Sequence, residues 1–236
     1  MKTIKSAQLE LLMIERTAEM KTNQWVYQLL RTNLLCGKIA PGIPLTIRGL
    51  AEVLEVSPMP VREALHRLAC EGAVEAKNNR RVIVPMMTAE KFTELSELRI
   101  LIETHAAEKA LPYIREKEIA NLERIDASID EAVQHAEVEA ISLRNQDFHR
   151  SLYSANPYQI VVPLIESLWL QLGPFSRIAI SKLEKIYIVD RHVEAIEALK
   201  QQNGFALRRA IESDIRDGIA SIKTVEGIHN YFKGVA

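Results

Sequence analysis

From Thr88 onward, this 236-residue chain contains no stretch that reads as a strand. Apolar residues recur there at helical spacing, in segments cut by proline, glycine or asparagine. "AEKFTELSELRILIETHAAEKAL" is closed by Pro112, and "EKEIANLERIDASIDEAVQHA" follows it. "EVEAISLRNQDFHRSLYSA" is stopped by Asn156-Pro157, and "YQIVVPLIESLWLQLGPF" by Gly173-Pro174. A shorter stretch surrounds "SRIAISKLE". "IVDRHVEAIEALKQQ" stops at Asn203-Gly204, and "FALRRAIESDIRDGIASIKTV" is the last long helix. Successive amphipathic helices with short connections bury their stripes against one another, so residues 88–236 are expected to form an all-helical bundle.

The first 87 residues have a different pattern. Residues 17–36 read as a helix with Trp25, Leu29 and Leu30 on its apolar side, ended by Gly37 and a Pro41-Gly42 turn. Thr46 can cap a second helix, "IRGLAEVLEV". Ser57 can cap a third through its hydroxyl. Pro58 and Pro60 fit the first turn of that helix, where N–H groups have no intrahelical partner. Val61, Leu65, Leu68 and Ala69 form its buried face, Arg62, His66 and Arg67 lie opposite, and Gly72 ends it. "AVEA" and "VIV" are short extended runs around a basic tip at residues 77–81, which is a hairpin signal. The order is that of a winged helix-turn-helix domain over residues 1–87, preceded by an extension at residues 1–16.

Charge follows the same division. Residues 18–88 carry nine Lys/Arg against six Asp/Glu, whereas residues 89–236 carry 18 against 23. A basic front and an acidic rear imply different partners. Cys36 and Cys70 match no metal or redox spacing, so a reduced, cytoplasmic protein is expected. The apolar run "LELLMI" is too short for a signal peptide and includes Glu10, and no membrane span is predicted.

A helix-turn-helix places its second helix in the major groove of double-stranded DNA, with N-terminal residues at the base edges. A prolyl first turn fixes where Arg62 points. Arg62 can then bind guanine or clamp a phosphate, and Arg48, which opens the preceding helix, can meet the backbone. Helix N–H groups near Ser57 can also meet a phosphate. His66 and Arg67 lie further along the same face, and Asn79, Arg80 and Arg81 at the hairpin tip can reach an adjacent groove. Singly, each is equally well read as a solvated surface group. Three basic clusters on one DNA-binding topology favour an operator contact, and two half-sites then require a homodimer.

The segment "LRTNLLCGKIAPGIPLTIRGLAEVLEVSPMPVREALHRLACEGAV" closely resembles the winged-helix domain of GntR-family transcription regulators, and the helical rear resembles the FCD effector domain of the FadR subgroup. The resemblance covers nearly the whole chain after about Thr17. It implies a dimeric, ligand-responsive regulator, usually a repressor and often of a catabolic operon. The family arginine at the start of the second helix matches Arg48, and that of "VREAL" matches Arg62. Pro58 stands where many members have arginine, and Arg81 where many have glycine at the wing tip, departures that shift base contacts toward the wing.

Polar residues interrupt three apolar stripes in the rear domain. Asn145 and His149, at i and i+4, share a face with Ile141, Phe148 and Leu152. His192 shares one with Ile196 and Leu199, and Asp214 one with Leu207, Ile211 and Gly218. Buried unpaired, such groups cost on the order of 2–7 kcal/mol each, so they satisfy one another or bind something. The resemblance implies a divalent metal, since FCD domains commonly hold one with an acid and a histidine at i and i+4 plus two later histidines. Asn145 then stands at the acid position, His149 and His192 at histidine positions, and Asp214 at the last. Two imidazoles, a carboxylate and an amide suit Zn, Ni or Mn. The family arginine matching Arg99 often faces the effector cavity, which implies a small organic acid; the alternative for Arg99 is an ion pair with Glu103 at i+4. A rival reading is a metal-dependent enzyme that activates water at the His/Asp site, although no base or nucleophile motif accompanies it.

Overall fold

The computed structural model describes residues 3–6, 9–77, 81–180 and 191–223. Two short strands, β1 (Thr3–Ser6) and β2 (Leu9–Leu12), open the chain as an antiparallel hairpin with Thr3 opposite Leu12. Leu11 and Leu12 are buried, and Asn33 of α1 (Thr22–Leu35) brackets Leu12 from both sides. Leu12 N–H donates to Asn33 Oδ1 at 2.7 Å, and Asn33 Nδ2 donates back to the Leu12 carbonyl at 2.9 Å. Leu11 and Leu12 of the extension are therefore packed against α1. Helix α1 begins five residues later than the periodicity predicts. Met20 N–H closes a turn onto the Thr17 carbonyl, and Lys21 is extended.

Thr46 caps α2 (Ile47–Val53) by accepting from Gly49 N–H, and α3 spans Pro58–Cys70. Ser57 is the N-cap residue of α3, but its side chain makes no cap bond. The expected hydroxyl cap is corrected here. Pro60 occupies N3, so the N–H that an N-cap hydroxyl commonly engages does not exist. Gly37, Gly42 and Gly72 all take positive φ at the turns expected of them. Strands β3 (Pro44–Leu45), β4 (Glu75–Ala76) and β5 (Val82–Ile83) form a small antiparallel sheet ordered β3-β5-β4, which is the wing.

Among the described residues, six helices follow: α4 (Ala89–Ala110), α5 (Glu116–Gln134), α6 (Val138–Ser154), α7 (Val162–Ile180), α8 (Arg191–Lys200) and α9 (Gly204–Lys223). A 3-10 turn at Leu111–Tyr113 ends α4 at Pro112. Helix α4 packs on α9, α5 on α6, and α8 on α9. The expected stop at Gly173-Pro174 does not occur, because α7 continues through Pro174. Pro174 supplies no N–H to the helix, and the turn is held by packing of its neighbours, with Leu172 at 4% and Phe175 at 0% exposure. The rest of the predicted "SRIAISKLE" segment beyond Ile180 lies outside the described residues. No helix among the described residues is long and apolar enough to cross a membrane.

The two halves meet at the C-terminal end of α1, which packs on both α3 and α7. A helix end leaves carbonyls without intrahelical partners. The Leu35 carbonyl is one of these, and α6 satisfies it twice: Ser142 Oγ donates at 3.3 Å and Gln146 Nε2 at 3.2 Å. Gly173 of α7 lies against the same turn. Ion pairs flank it, with Glu139 accepting from Lys38 Nζ at 2.9 Å and from Arg177 Nη1 at 2.5 Å. Burial works to raise the Glu139 carboxyl, but these two cations outweigh it and hold its pKa down to about 2. Glu166 joins Arg31 of α1 to Arg150 of α6, and Ser167 Oγ donates to the Glu71 carbonyl that ends α3.

Candidate regulatory and nucleic-acid sites

Helix α3 buries Val61, Ala64, Leu65 and Leu68 and turns Arg62, His66 and Arg67 outward. Arg48, Ser57 and Arg81 are also exposed. Arg48 and Ser57 thus stand at the starts of α2 and α3, Arg62 on the exposed side of α3 and Arg81 next to β5. Arg67 is more committed than its position implied: Nε donates to Glu71 Oε1 at 3.2 Å, and its guanidinium lies 3.7 Å above the Tyr27 ring. Asn79 and Arg80 lie outside the described residues. Met59, beside the two prolines, is 61% exposed. Sequence reasoning passed over it, although an apolar side chain in the first turn of such a helix suits a thymine methyl.

In the rear domain, His149, His192 and Asp214 come together, with one ligand-capable atom from each within 4.8 Å of the others. His149 and His192 are fully buried, at 0% and 1% exposure. His149 Nε2 lies 3.1 Å from Asp214 Oδ2, and His192 Nε2 lies 4.0 Å from Asp214 Oδ1 and 3.3 Å from Asn145 Nδ2. Three of the four residues predicted for the metal therefore cluster, and Asn145 reaches the cluster through His192. Each imidazole is oriented by its other nitrogen. His192 Nδ1 faces Asp126 Oδ1 at 2.8 Å, and the Phe148 ring stacks on His192 with centroids 4.0 Å apart. His149 Nδ1 faces the Tyr153 hydroxyl at 3.0 Å.

The protons in this network can be assigned by elimination. Glu103 has 0% exposure and accepts from Tyr153 OH at 2.8 Å, Trp169 Nε1 at 2.8 Å and Arg99 Nε at 2.5 Å. Burial, reinforced by the Glu103 charge, pushes the Tyr153 phenol well above its ordinary pKa, so it keeps its proton and gives it to Glu103. His149 Nδ1 must then be the donor to Tyr153 oxygen. Asp126 Oδ1 likewise accepts a hydrogen bond from His192 Nδ1. Both Nε2 atoms are thereby turned toward Asp214 as lone-pair donors. Burial acts to raise the Asp214 carboxyl, but positive charge at His149 and His192, present when their Nε2 atoms are protonated, together with Arg99 outweighs it and holds its pKa down to about 2. A carboxylate and an imidazole lone pair 3.1 Å apart require a proton or a cation between them. The donor set therefore fits a divalent metal, with Asn145 presenting its amide oxygen after a flip.

A cavity of about 70 Å³ adjoins this cluster. Arg99, Asn145, Trp169, Ser142, Gln146 and Gly173 line it. Arg99 Nε pairs with Glu103, and the residue also lines the cavity. The last three of these residues are the ones that touch the end of α1, so the cavity wall is also the seam between the two halves. Sequence reasoning missed Asp126, Tyr153, Ser142 and Gln146. Asp126 and Tyr153 carried a signal, since each interrupts a buried helical stripe: Asp126 lies between Leu122 and Ile129, and Tyr153 lies four residues after His149.

A family model described as "Bacterial regulatory proteins, gntR family" matches residues 22–84, and one described as "FCD domain" matches residues 94–217. The HTH-type transcriptional regulator McbR of Escherichia coli is 26% identical over 194 residues, covering 81% of this chain and 88% of that protein. The gluconate operon transcriptional repressor of Bacillus subtilis is 25% identical over 198 residues, covering 80% of this chain and 79% of that one. The solved structure of E. coli McbR/YncC superposes with a TM-score of 0.81 at 24% identity, over 86% of this chain and 98% of that chain.

Proposed function

This chain belongs to the GntR family of bacterial regulatory proteins, carries an FCD domain and is a DNA-binding transcription regulator rather than an enzyme, and from that premise we propose that it is a cytoplasmic homodimeric repressor of a metabolic operon, released or retained by a small organic acid. The observation that carries this reading is the convergence of His149, His192 and Asp214 beside a cavity that is lined by Arg99 and abuts the end of α1.

On the DNA side, residues 1–87 act as the reading unit. The proline-fixed start of α3 aims Arg62 at a base edge, with Met59 and His66 beside it. Arg48 and the Ser57 hydroxyl, which no cap bond occupies, meet phosphates. Asn79, Arg80 and Arg81 follow the wing into the neighbouring groove, and Arg67 chiefly braces α3 through Glu71 and Tyr27. Two copies related by a two-fold axis read two half-sites.

On the effector side, residues 88–236 act as the sensing unit. Asn145, His149, His192 and Asp214 would hold a divalent cation of the Zn, Ni or Mn type, oriented by Asp126 and Tyr153. When bound, that cation supplies positive charge and open coordination for a ligand oxygen. Arg99 keeps its charge because the Glu103 carboxylate outweighs the effect of burial. With Nε committed to Glu103, its terminal amino groups remain for a ligand carboxylate in bidentate geometry.

Selection of bound fragments from the source genome, using the purified full-length protein, tests the reading. Recovered fragments should share a motif with two-fold symmetry, and deletion of the gene should raise transcription beside them. Fragments without a shared motif, or transcription that falls on deletion, would remove the operator or the repressor assignment respectively.

A further inference from the structure

Gln146 touches both the cavity and the DNA-binding half. The residue lines the cavity, and its Nε2 donates to the Leu35 carbonyl at 3.2 Å. A carbonyl can only accept, so the nitrogen must face Leu35 and the assignment of the amide is fixed. Its oxygen, Oε1, is buried and has no hydrogen-bond partner among the described residues. Buried amide oxygens are nearly always paired, so a partner other than the described residues is expected there. Ser142, one turn earlier on α6, also lines the cavity and donates to the same Leu35 carbonyl at 3.3 Å.

We propose that the effector is a small carboxylate bearing a neighbouring hydroxyl or amino donor, that this donor pairs with Gln146 Oε1, and that Gln146 thereby carries ligand occupancy to the end of α1. The proposal rests on the carboxylate reading of the Arg99 cavity given above. Arg99 takes the acid group, and the Gln146 oxygen takes the donor on the adjacent carbon. A cavity of about 70 Å³ has room for roughly five water-sized positions, given some 10–15 Å³ for each, which suits an acid of two to four carbons. A ligand that turns or draws the Gln146 amide changes its hold on Leu35. Helix α1 packs directly on α3, so the disturbance reaches the helix that carries Arg62. The Gln146 side chain thus selects the ligand with one amide atom and reports it with the other.

Matched acids that differ only in the donor provide the test: glycolate against acetate, lactate against propionate, and alanine against propionate. Binding to the full-length protein is read by calorimetry, and operator affinity by anisotropy on a genome-selected fragment. In the wild type, the donor-bearing member of at least one pair should bind about tenfold tighter and shift operator affinity. Gln146→Met should bring that pair to within about threefold, leave binding of the deoxy acid unchanged, and abolish the operator shift. Amide exchange of residues 36–39 in the wild type gives a second measurement that needs no variant, and the donor-bearing acid should change it.

If no acid binds, the carboxylate reading falls and this proposal with it. If acids bind but no pair is discriminated, as when a water serves the Gln146 oxygen equally well, the proposal alone is overturned. It is also overturned if Gln146→Met retains both the discrimination and the operator shift, or if the residue 36–39 amides do not respond.

Discussion

Gly173→Ala should separate the DNA-binding half from the effector half. A Cβ at Gly173 would stand 2.5 Å from the Leu34 carbonyl oxygen, 2.8 Å from that of Leu35 and 2.9 Å from Leu35 Cα. All three are backbone atoms, so no rotamer change relieves the clash, and α1 must retreat from α7. Overpacking of this kind costs about 1–3 kcal/mol. The retreat also weakens the two hydrogen bonds from Ser142 and Gln146 to Leu35, at about 0.5–1.5 kcal/mol each. Alanine returns about 1 kcal/mol through its higher helix propensity. The expected net loss is roughly 3 kcal/mol, confined to the seam. Urea unfolding followed by pulsed hydrogen exchange and mass spectrometry reads the two halves separately. In the wild type, peptides from α1 and α3 should open together with those from α6 and α7. In Gly173→Ala, the front peptides should open at lower urea while the rear transition stays nearly in place. Coincident transitions at the wild-type midpoint would refute the tight seam on which the signalling route depends.

Arg62→Ala should weaken operator binding by about 1–3 kcal/mol if it reads a base, and Arg48→Ala by less and more evenly across sequences, both at unchanged melting temperature; wild-type affinity in anisotropy titrations would remove either from the interface. Glu139→Gln should flatten the acid limb of stability. The depressed Glu139 carboxyl contributes stability above its ordinary value near 4.5, and that contribution is lost as pH falls toward about 2. At 23% side-chain exposure the contribution at neutral pH is on the order of 1 kcal/mol after screening, and urea midpoints from pH 2 to pH 7 check it. Asp126→Asn should lower Zn²⁺ affinity about 10–100-fold by loosening His192, as read by competition with a chelating dye; unchanged affinity would show that Asp126 does not orient a metal ligand. Sedimentation of the free protein should give twice the chain mass, and a monomer at micromolar concentration with and without DNA would contradict two-fold half-site reading.

The helix-turn-helix was legible because its signals are local: Thr46 as a cap, the Pro58 and Pro60 entrance, and glycines where φ turns positive. The rear cluster was legible for a different reason. Asn145, His149, His192 and Asp214 break apolar stripes at helical spacing, and a bundle has only one interior for such faces. The orienting residues were harder to find. Asp126 is hidden in a helix dense with acids, and the Glu103 hub exists only once α4, α6 and α7 are assembled. Two local rules were overridden. Gly173-Pro174 looks like a helix stop, yet Gly173 is small because α1 lies against it, and burial carries α7 onward. Ser57 looks like a hydroxyl cap, but Pro60 removed the N–H it would have bonded. The N-terminal hairpin gave no turn signal, and its anchor, Asn33, is a buried polar residue 21 positions from Leu12.

If the Arg99 cavity controls DNA binding, one titration reveals it. Operator affinity of the full-length protein is measured by fluorescence anisotropy in the presence of Zn²⁺, across a panel of two- to four-carbon acids, for wild type and Arg99→Ala. At least one acid should shift the wild-type Kd by about tenfold or more, or about 1.4 kcal/mol, and Arg99→Ala, with a similar acid-free Kd, should not respond. A wild-type Kd indifferent to every acid, or an Arg99→Ala protein that responds as the wild type does, would contradict that control.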